Sequence, residues 1–175
     1  MHPRESPAEP GTIPPVHVSA ERFREVLGSW ASGVTIVTSR SGSQVQGMTV
    51  SAFSSVSLEP PLILVCADRS AITHGIIAES GVFSVSLLAR DQEALSNRFA
   101  SKRDEWRRFD GIRCEDGATG CPRIPNALAW LDCEVTQGVE AGDHVVYIGH
   151  VIDAAVNAGD PLLYFRGSYS ALRAR

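Results

Sequence analysis

The segment Val45–Ser57, with the sequence VQGMTVSAFSSVS, has extended character but few bulky side chains. A strand normally carries bulky residues that pack, whereas here small hydroxyl residues occur at both alternating positions. Small side chains allow a ligand to approach main-chain N–H and C=O groups, which can bond to a flat heterocycle. The segment is therefore interpreted either as a polar edge strand or as the wall of such a site.

Predicted strands on both sides of this segment indicate a mainly β chain. Glu59-Pro60-Pro61 ends the segment, since proline disfavours strand pairing. Runs of β-branched and apolar residues predict further strands at Val34–Ser39, Leu62–Ala67, Val82–Leu88, Leu128–Val139, His144–Val156 and Leu162–Arg166. Short connections such as Ala141-Gly142-Asp143, which suits a hairpin, favour an antiparallel barrel or sandwich over a βαβ sheet.

One of these strands also carries a hint about assembly. Val145–Ile152 is apolar at both alternating positions, which predicts burial on both faces. In a chain of this size, a second buried face often means that a partner subunit covers it.

Helices are predicted where apolar side chains recur every three or four residues. The first predicted helix starts after Ser19, ends near Gly33 and carries Phe23, Val26, Leu27 and Trp30 on one side. The second covers Ser70–Ser80, and the third covers Asp91–Ser101. In the third, Asp91 is the predicted N-cap, and Leu95 and Phe99 face inward. Residues 102–126 are predicted to be loop with some local helix. Residues 1–18, rich in proline, are predicted to form a flexible arm ahead of one domain over 19–175.

Composition and charge exclude several classes of function. The 175 residues carry a formal net charge of -4, which argues against a nucleic-acid partner, because duplex binding needs clustered positive charge. The sequence has neither a secretory signal nor an apolar stretch long enough to span a bilayer, so we expect a cytoplasmic protein without membrane contact. The four cysteines form no C-x-x-C pair and are expected to be reduced core residues.

The sequence lacks the familiar motifs of catalytic and phosphate-binding sites. No dinucleotide fingerprint, phosphate loop, zinc-protease motif or nucleophile elbow is present. His144 and His150 share one predicted strand but would lie about 20 Å apart, too far to bind one metal ion, so no metal site is expected. His74 is predicted to be a structural histidine within a helix. Asp68-Arg69-Ser70-Ala71 leads into that helix, which suits either an anion or an ordinary cap.

Several stretches occur together in an order that resembles a known family. They are Ser32–Thr38, Gly47–Pro61, Asp68–Ala71, Phe83–Leu88, Gly142-Asp143-His144 and Pro161–Tyr169. Over about residues 20 to 172 the chain resembles the flavin reductase-like family, whose members reduce flavins for two-component monooxygenases.

The resemblance implies a fold and an activity. It implies an antiparallel Greek-key split β-barrel with a few short helices, usually a homodimer, that reduces FMN or FAD with NADH or NADPH. The reduced flavin would pass to a separate monooxygenase. Two alternatives stay open: an enzyme that keeps FMN and oxidises another substrate, and a flavin or haem carrier without nicotinamide activity.

The resemblance also implies roles for individual residues. It implies contacts to the isoalloxazine ring from Thr35, Met48, Thr49, Val50, Ser51 and Ala52. It implies that Ser54 and Ser55 hold the ribityl and phosphate side of the flavin. It also implies that Cys66, Asp68 and Ser70 line the ribityl chain and the phosphate end. Near the phosphate or adenylate it implies Phe99, Ser101 and the basic residues Arg98, Lys102 and Arg103, although these basic residues equally suit a solvated helix face. His144 would align the nicotinamide with flavin N5 as a positioning group. Arg166 and Tyr169 are weaker candidates for walls of the site.

Overall fold

The computed structural model describes residues 17–172, so the predicted arm over residues 1–18 lies almost wholly outside the described part of the chain. The described elements are α1 (Ala20–Gly28), β1 (Ser32–Gly33), β2 (Thr35–Ser41), β3 (Gln44–Val50), β4 (Phe53–Ser57), β5 (Leu62–Asp68), α2 (Ile72–Ser80), β6 (Val82–Leu87), α3 (Glu93–Ala100), a 3-10 helix (Glu105–Arg107), β7 (Glu115–Asp116), β8 (Pro122–Arg123), β9 (Ala129–Ala141), β10 (His144–Val156), β11 (Leu163–Phe165) and β12 (Ser168–Ser170).

The main sheet is bent into a barrel by the short connection between its two edge strands. Its seven antiparallel strands run in the order β3-β2-β6-β9-β10-β5-β4, so the two edge strands are consecutive in sequence. In a flat sheet those edges would lie roughly 29 Å apart, from six spacings of about 4.8 Å. The link from Val50 to Phe53 can span only about 11 Å. The sheet therefore curls until its edges meet, which confirms the predicted antiparallel barrel.

A buried apolar cluster fills the curled sheet. Side chains from β2, β3, β5, β6, β9 and β10 form one buried cluster that includes Val37, Val65, Phe83, Val85 and Tyr147. A second buried cluster lies beneath α3 and includes Ile36, Leu88, Phe99 and Leu162. The two edge strands are not paired with each other in the described chain, so the barrel is split along the line where they part.

Several expectations from the sequence are corrected by nonlocal contacts. Val45–Ser57 is two strands rather than one, because the chain bends at Ser51-Ala52 to leave one edge and join the other. Gly33 does not end the first helix, which stops at Gly28, because Gly33 pairs with Leu163 in a small second sheet. The short strands of that sheet and the β7–β8 pair are too brief to give a periodic signal.

Helix ends and one strand face also differ from expectation. Ser19 is confirmed as the cap of α1, whereas α3 starts after Gln92 rather than Asp91, because the buried Gln92 amide bonds Ala89 N and Pro125 O. Within the single chain β10 is not buried on both faces. Its inward face is buried, whereas Val146 and Ile148 on the other face are only partly covered.

The predicted structural role of His74 is confirmed. Its Nδ1 lies 2.8 Å from the hydroxyl of Tyr147, a buried residue of β10. The hydrogen bond ties α2 to the barrel wall and satisfies both groups.

Gly149→Ala should destabilise the fold by about 1–3 kcal/mol, because a Cβ there would lie 2.5 Å from Cζ of the buried Phe83 ring. Urea unfolding measures the change. Gly75→Ala is the matched control: it lies in α2 with nothing near its added Cβ, and alanine there should stabilise by about 0.5–1 kcal/mol. Equal stability of Gly149→Ala and the wild type would contradict this packing.

Candidate functional site

A cleft of about 230 Å³ opens where the two edges of the barrel part. It is lined by Met48, Thr49, Val50, Ser51, Ala52, Cys66, Asp68, Ala71, Phe99, Ala100, Lys102, Glu105, Arg108 and His144. These residues come from β3, the link to β4, β5, the β5–α2 loop, α3, the segment after α3 and β10. The barrel thus brings together side chains almost 100 positions apart in the sequence, as between Met48 and His144.

Main-chain groups form one wall of the cleft. Because β3 is an edge strand, the N–H and C=O groups on its outer side have no neighbouring strand. At the link, the N–H groups of Ser51 and Ala52 meet no acceptor within residues 17–172, and both residues are exposed. The wall therefore presents unpaired donors beside small side chains.

Two threonine hydroxyls support this wall from behind. Thr35 Oγ1 donates to Val50 O at 2.7 Å, and Thr49 Oγ1 donates to Ser96 O at 2.7 Å. The first bond holds β3 against β2, and the second holds it against α3. Thr35 is buried and lies outside the cleft lining, so any contribution it makes to the site is through β3.

The β9–β10 hairpin places His144 at the opposite side of the cleft. Its two-residue turn, Gly142-Asp143, has the positive φ that glycine accommodates, 63° at Gly142. His144 then pairs in register with Asp68 on β5, and both side chains line the cleft. The main-chain bond from Arg69 N to Asp143 O, at 3.0 Å, fixes the turn against the start of the β5–α2 loop.

Asp143 sets the orientation of the imidazole. Its Oδ1 lies 2.7 Å from Nδ1 of His144, and this hydrogen bond lowers the pKa of the Asp143 carboxyl. A carboxylate can only accept, so Nδ1 carries the proton and Nε2 is left for another partner.

The polar floor of the cleft is an ionised carboxylate with a lysine beside it. Hydrogen bonds from the Ser70 hydroxyl and main-chain N–H, together with Lys102, lower the pKa of Asp68 to about 2. Lys102 Nζ lies 3.4 Å from Asp68 Oδ2 and 3.2 Å from Ser70 Oγ. Next to them, burial raises the pKa of the Cys66 thiol, so that wall is neutral. The cleft lining therefore carries two ion pairs, the exposed Asp68–Lys102 pair and the largely buried Glu105–Arg108 pair.

The remaining residues suggested by the sequence lie outside the cleft lining. Ser54 and Ser55 are exposed on β4, Ser70 contacts the cleft only through Asp68 and Lys102, and Ser101 follows α3. Arg166 lies on the β11–β12 turn with its guanidinium over the Phe165 ring.

Tyr169 lines a neighbouring cavity of about 270 Å³. Its hydroxyl donates to Ser96 Oγ at 2.8 Å, which ties β12 to α3. The cavity shares Thr49, Ser51 and Ala100 with the cleft, so Tyr169 is one layer removed from it.

Arg108 is the most deeply buried charged residue among four lining residues that sequence reasoning did not assign to the site, the others being Ala71, Ala100 and Glu105. It belongs to the polar stretch after α3, and nothing in its neighbours distinguishes it from the solvated arginines around it. Its burial follows from the folding of this stretch back against β3, which no local pattern shows. Ala100 ends α3, and its small apolar side chain carries no local signal of a site.

The cleft suits a flat heterocycle with a negatively charged tail. Free main-chain donors and the small side chains of Ser51 and Ala52 allow close approach of a planar ring. The buried Phe99 packs behind the β3 wall, and Lys102, whose side chain is 74% exposed, offers a cation at the rim. Among the described residues no group of histidine, cysteine and acidic side chains is arranged to hold a metal ion. In the same part of the chain no helix is long and apolar enough to cross a membrane.

Comparison with known sequences gives one consistent result. A family model described as "Flavin reductase like domain" matches residues 27–173. The "FMN reductase (NADH) SmoA" of Agrobacterium fabrum is 38% identical over 151 residues, covering 86% of this chain and 85% of that protein. The reductase component of 4-hydroxyphenylacetate 3-monooxygenase from Thermus thermophilus is 39% identical over 153 residues, covering 87% of this chain and 96% of that protein.

Solved structures agree with the sequence matches. Flavin reductase PheA2 superposes with a TM-score of 0.83 at 38% identity, covering 90% of this chain and 100% of that one. The NADH:FAD oxidoreductase SgcE6 of Streptomyces globisporus C-1027, solved with NAD and FAD fragments, has a TM-score of 0.82 at 35% identity, covering 87% of this chain and 92% of that one.

Proposed function

The chain belongs to the flavin reductase-like domain family, and from that premise we propose that it is an oxidoreductase that transfers hydride from NADH to FMN or FAD. The proposal includes delivery of the reduced flavin to a separate monooxygenase, since several relatives are reductase components or subunits of monooxygenases. The observation that carries it is the cleft at the split of the barrel, where free main-chain donors face an oriented histidine.

Different residues of the cleft would contact different parts of a bound flavin. The main chain of Met48–Ala52 would bond the edge of the ring system, and the buried Phe99 ring would support that wall from inside the protein. Lys102 would pair with a phosphate on the flavin tail, because its ammonium is exposed at the rim and could exchange its long contact with Asp68 for a phosphate oxygen. Neutral Cys66 adds no charge beside the ring.

His144 and Asp143 would orient the nicotinamide. The proton on Nδ1 is held by Asp143, so Nε2 of His144 can accept a hydrogen bond from the carboxamide of NADH. The two cofactors supply the redox chemistry, in which one hydride passes between them. The protein contributes proximity and alignment, which raise the rate without an obligatory acid or base.

We further propose that the functional unit is a homodimer. Phe23, Val26 and Leu27 project from α1, Trp30 follows shortly after its end, and each of the four side chains is more than half exposed. Trp30 also lines a largely apolar cavity of about 370 Å³ formed with residues such as Leu128 and Leu162. Several large apolar side chains exposed on one short segment indicate a protein contact, and a second copy would also cover the partly exposed Val146 and Ile148 of β10.

The proposed activity predicts catalytic turnover by the purified protein. Small amounts of protein with excess NADH and FMN or FAD should consume NADH and bleach the flavin through many turnovers in the absence of oxygen. A flavin carrier would bind one equivalent and consume no NADH, and an oxidase that keeps its FMN would be coloured after purification. Absence of NADH consumption with added flavin would exclude the proposed function, whereas colour alone would show only that flavin is tightly bound.

His144→Ala should raise KM for NADH about tenfold, which corresponds to the loss of one hydrogen bond. Flavin affinity, measured by fluorescence quenching without NADH, should stay within about twofold because flavin does not depend on Nε2. His150→Ala on the same strand, outside the cleft lining, is the control. An unchanged KM for NADH in His144→Ala would remove this role.

Leu27→Glu should shift the protein from dimer to monomer, because a carboxylate would be desolvated in the contact between the two copies. Light scattering after size exclusion measures the mass. Arg24→Glu, a charge change on the same helix outside the apolar face, should leave the mass unchanged. A monomeric wild type would refute the dimer.

A further inference from the structure

Arg108 is a buried charge for which the proposed function has given no role. Its side chain is only 5% exposed, and this burial lowers the pKa of the guanidinium. Burying a charged group is costly unless its hydrogen bonds are replaced, so its contacts should show what it stabilises.

The guanidinium joins two walls of the cleft. Arg108 Nη1 donates to Gly47 O, on the edge strand β3, at 2.7 Å. Arg108 Nη2 donates to Ser101 O, at the end of α3, and forms an ion pair with Glu105 Oε1 at 3.3 Å. Each wall is therefore attached to the same rigid planar group.

The contact between these walls is already close at Gly47. A Cβ on Gly47 would lie 2.9 Å from Cε1 of Phe99, so the Phe99 ring packs directly on the β3 backbone. Phe99 is buried and also lines the cleft. Any shift of β3 relative to the end of α3 would therefore move a wall of the cleft, and the bonds of Arg108 oppose that shift.

Two features argue against a direct phosphate contact. Both terminal nitrogens of Arg108 are engaged by carbonyls, and Glu105 offsets its charge. Its Nε is buried and has no partner within residues 17–172, so little of the group is accessible to a flexible anionic tail. Lys102, which is exposed at the rim, fits that role better.

We propose that Arg108 is a positioning residue that fixes the separation of β3 from the end of α3, and so sets the affinity of the cleft for the flavin ring. The proposal rests on the proposed function, since it concerns the same cleft. It assigns Arg108 to recognition of the tricyclic ring that riboflavin, FMN and FAD share, independent of phosphate.

The test compares Arg108→Met and Arg108→Lys with wild type for binding of oxidised riboflavin, FMN and FAD. Dissociation constants come from flavin fluorescence quenching without NADH. Arg108→Met should weaken all three flavins by a similar factor of about tenfold or more, because two charge-assisted hydrogen bonds are lost. Arg108→Lys keeps one cation and should recover part of the loss, and KM for NADH should stay within about twofold.

A second variant moves the same wall without removing a charge. Gly47→Ala would push against the Phe99 ring and should weaken the three flavins alike. Arg90→Met is the matched control, since Arg90 pairs with Asp160 on the surface and is outside the cleft. Circular dichroism and thermal unfolding test whether each variant is folded. If Arg108→Met does not fold, the flavin affinities of Gly47→Ala and Arg108→Lys test the proposal.

The possible outcomes separate the proposals. Wild-type affinity for riboflavin in the folded variants would overturn the role of Arg108, and weakening of FMN and FAD alone would reassign it as a phosphate contact. A wild-type protein that binds none of the three flavins would refute the proposed function instead.

Discussion

The two-residue link between β3 and β4 is the constraint on which the rest of the structure depends. It joins strands at opposite edges of a seven-stranded sheet, and the sheet must curl for both to be reached by so short a connection. Because the chain passes from one edge to the other at a bend, the edges meet without pairing. The seam retains unpaired main-chain groups that a closed barrel would have used internally. The candidate site is this seam.

Packing keeps the seam from collapsing. The core cluster holds the curled sheet together, while α3 and the following segment lie against β3 through Phe99, Thr49 and Arg108. Across the cleft, the β9–β10 hairpin is tied to the β5–α2 loop by the main-chain bond between Arg69 and Asp143. Both walls are thus fixed by contacts within the protein that do not involve the ligand. Such a rigid cleft suits a site that binds and releases a flavin without reorganising.

Electrostatics inside the cleft follow from the same arrangement. The Asp68 carboxylate is satisfied by Ser70 and Lys102, the Asp143 carboxylate by His144, and Arg108 by two carbonyls and Glu105. The ionised groups are therefore held by neighbours, whereas the main-chain donors of Ser51 and Ala52 have no acceptor in the part of the chain that the structure describes. This pattern favours a neutral ring over a small ion at the centre of the cleft.

The sequence by itself determined the mainly β class, the hairpin before His144, the cap at Ser19 and the family, because each depends on local residue chemistry or on motifs in a fixed order. It also indicated the small-residue segment around Ser51, since its composition departs from strand preference. Only the tertiary structure decided that this segment bends between two sheet edges, that Ser54 and Arg166 lie away from the cleft, and that Arg108 is buried in it. These features depend on strand order and on contacts across some 60 residues, such as Arg108 with Gly47, and local patterns carry no record of such pairings.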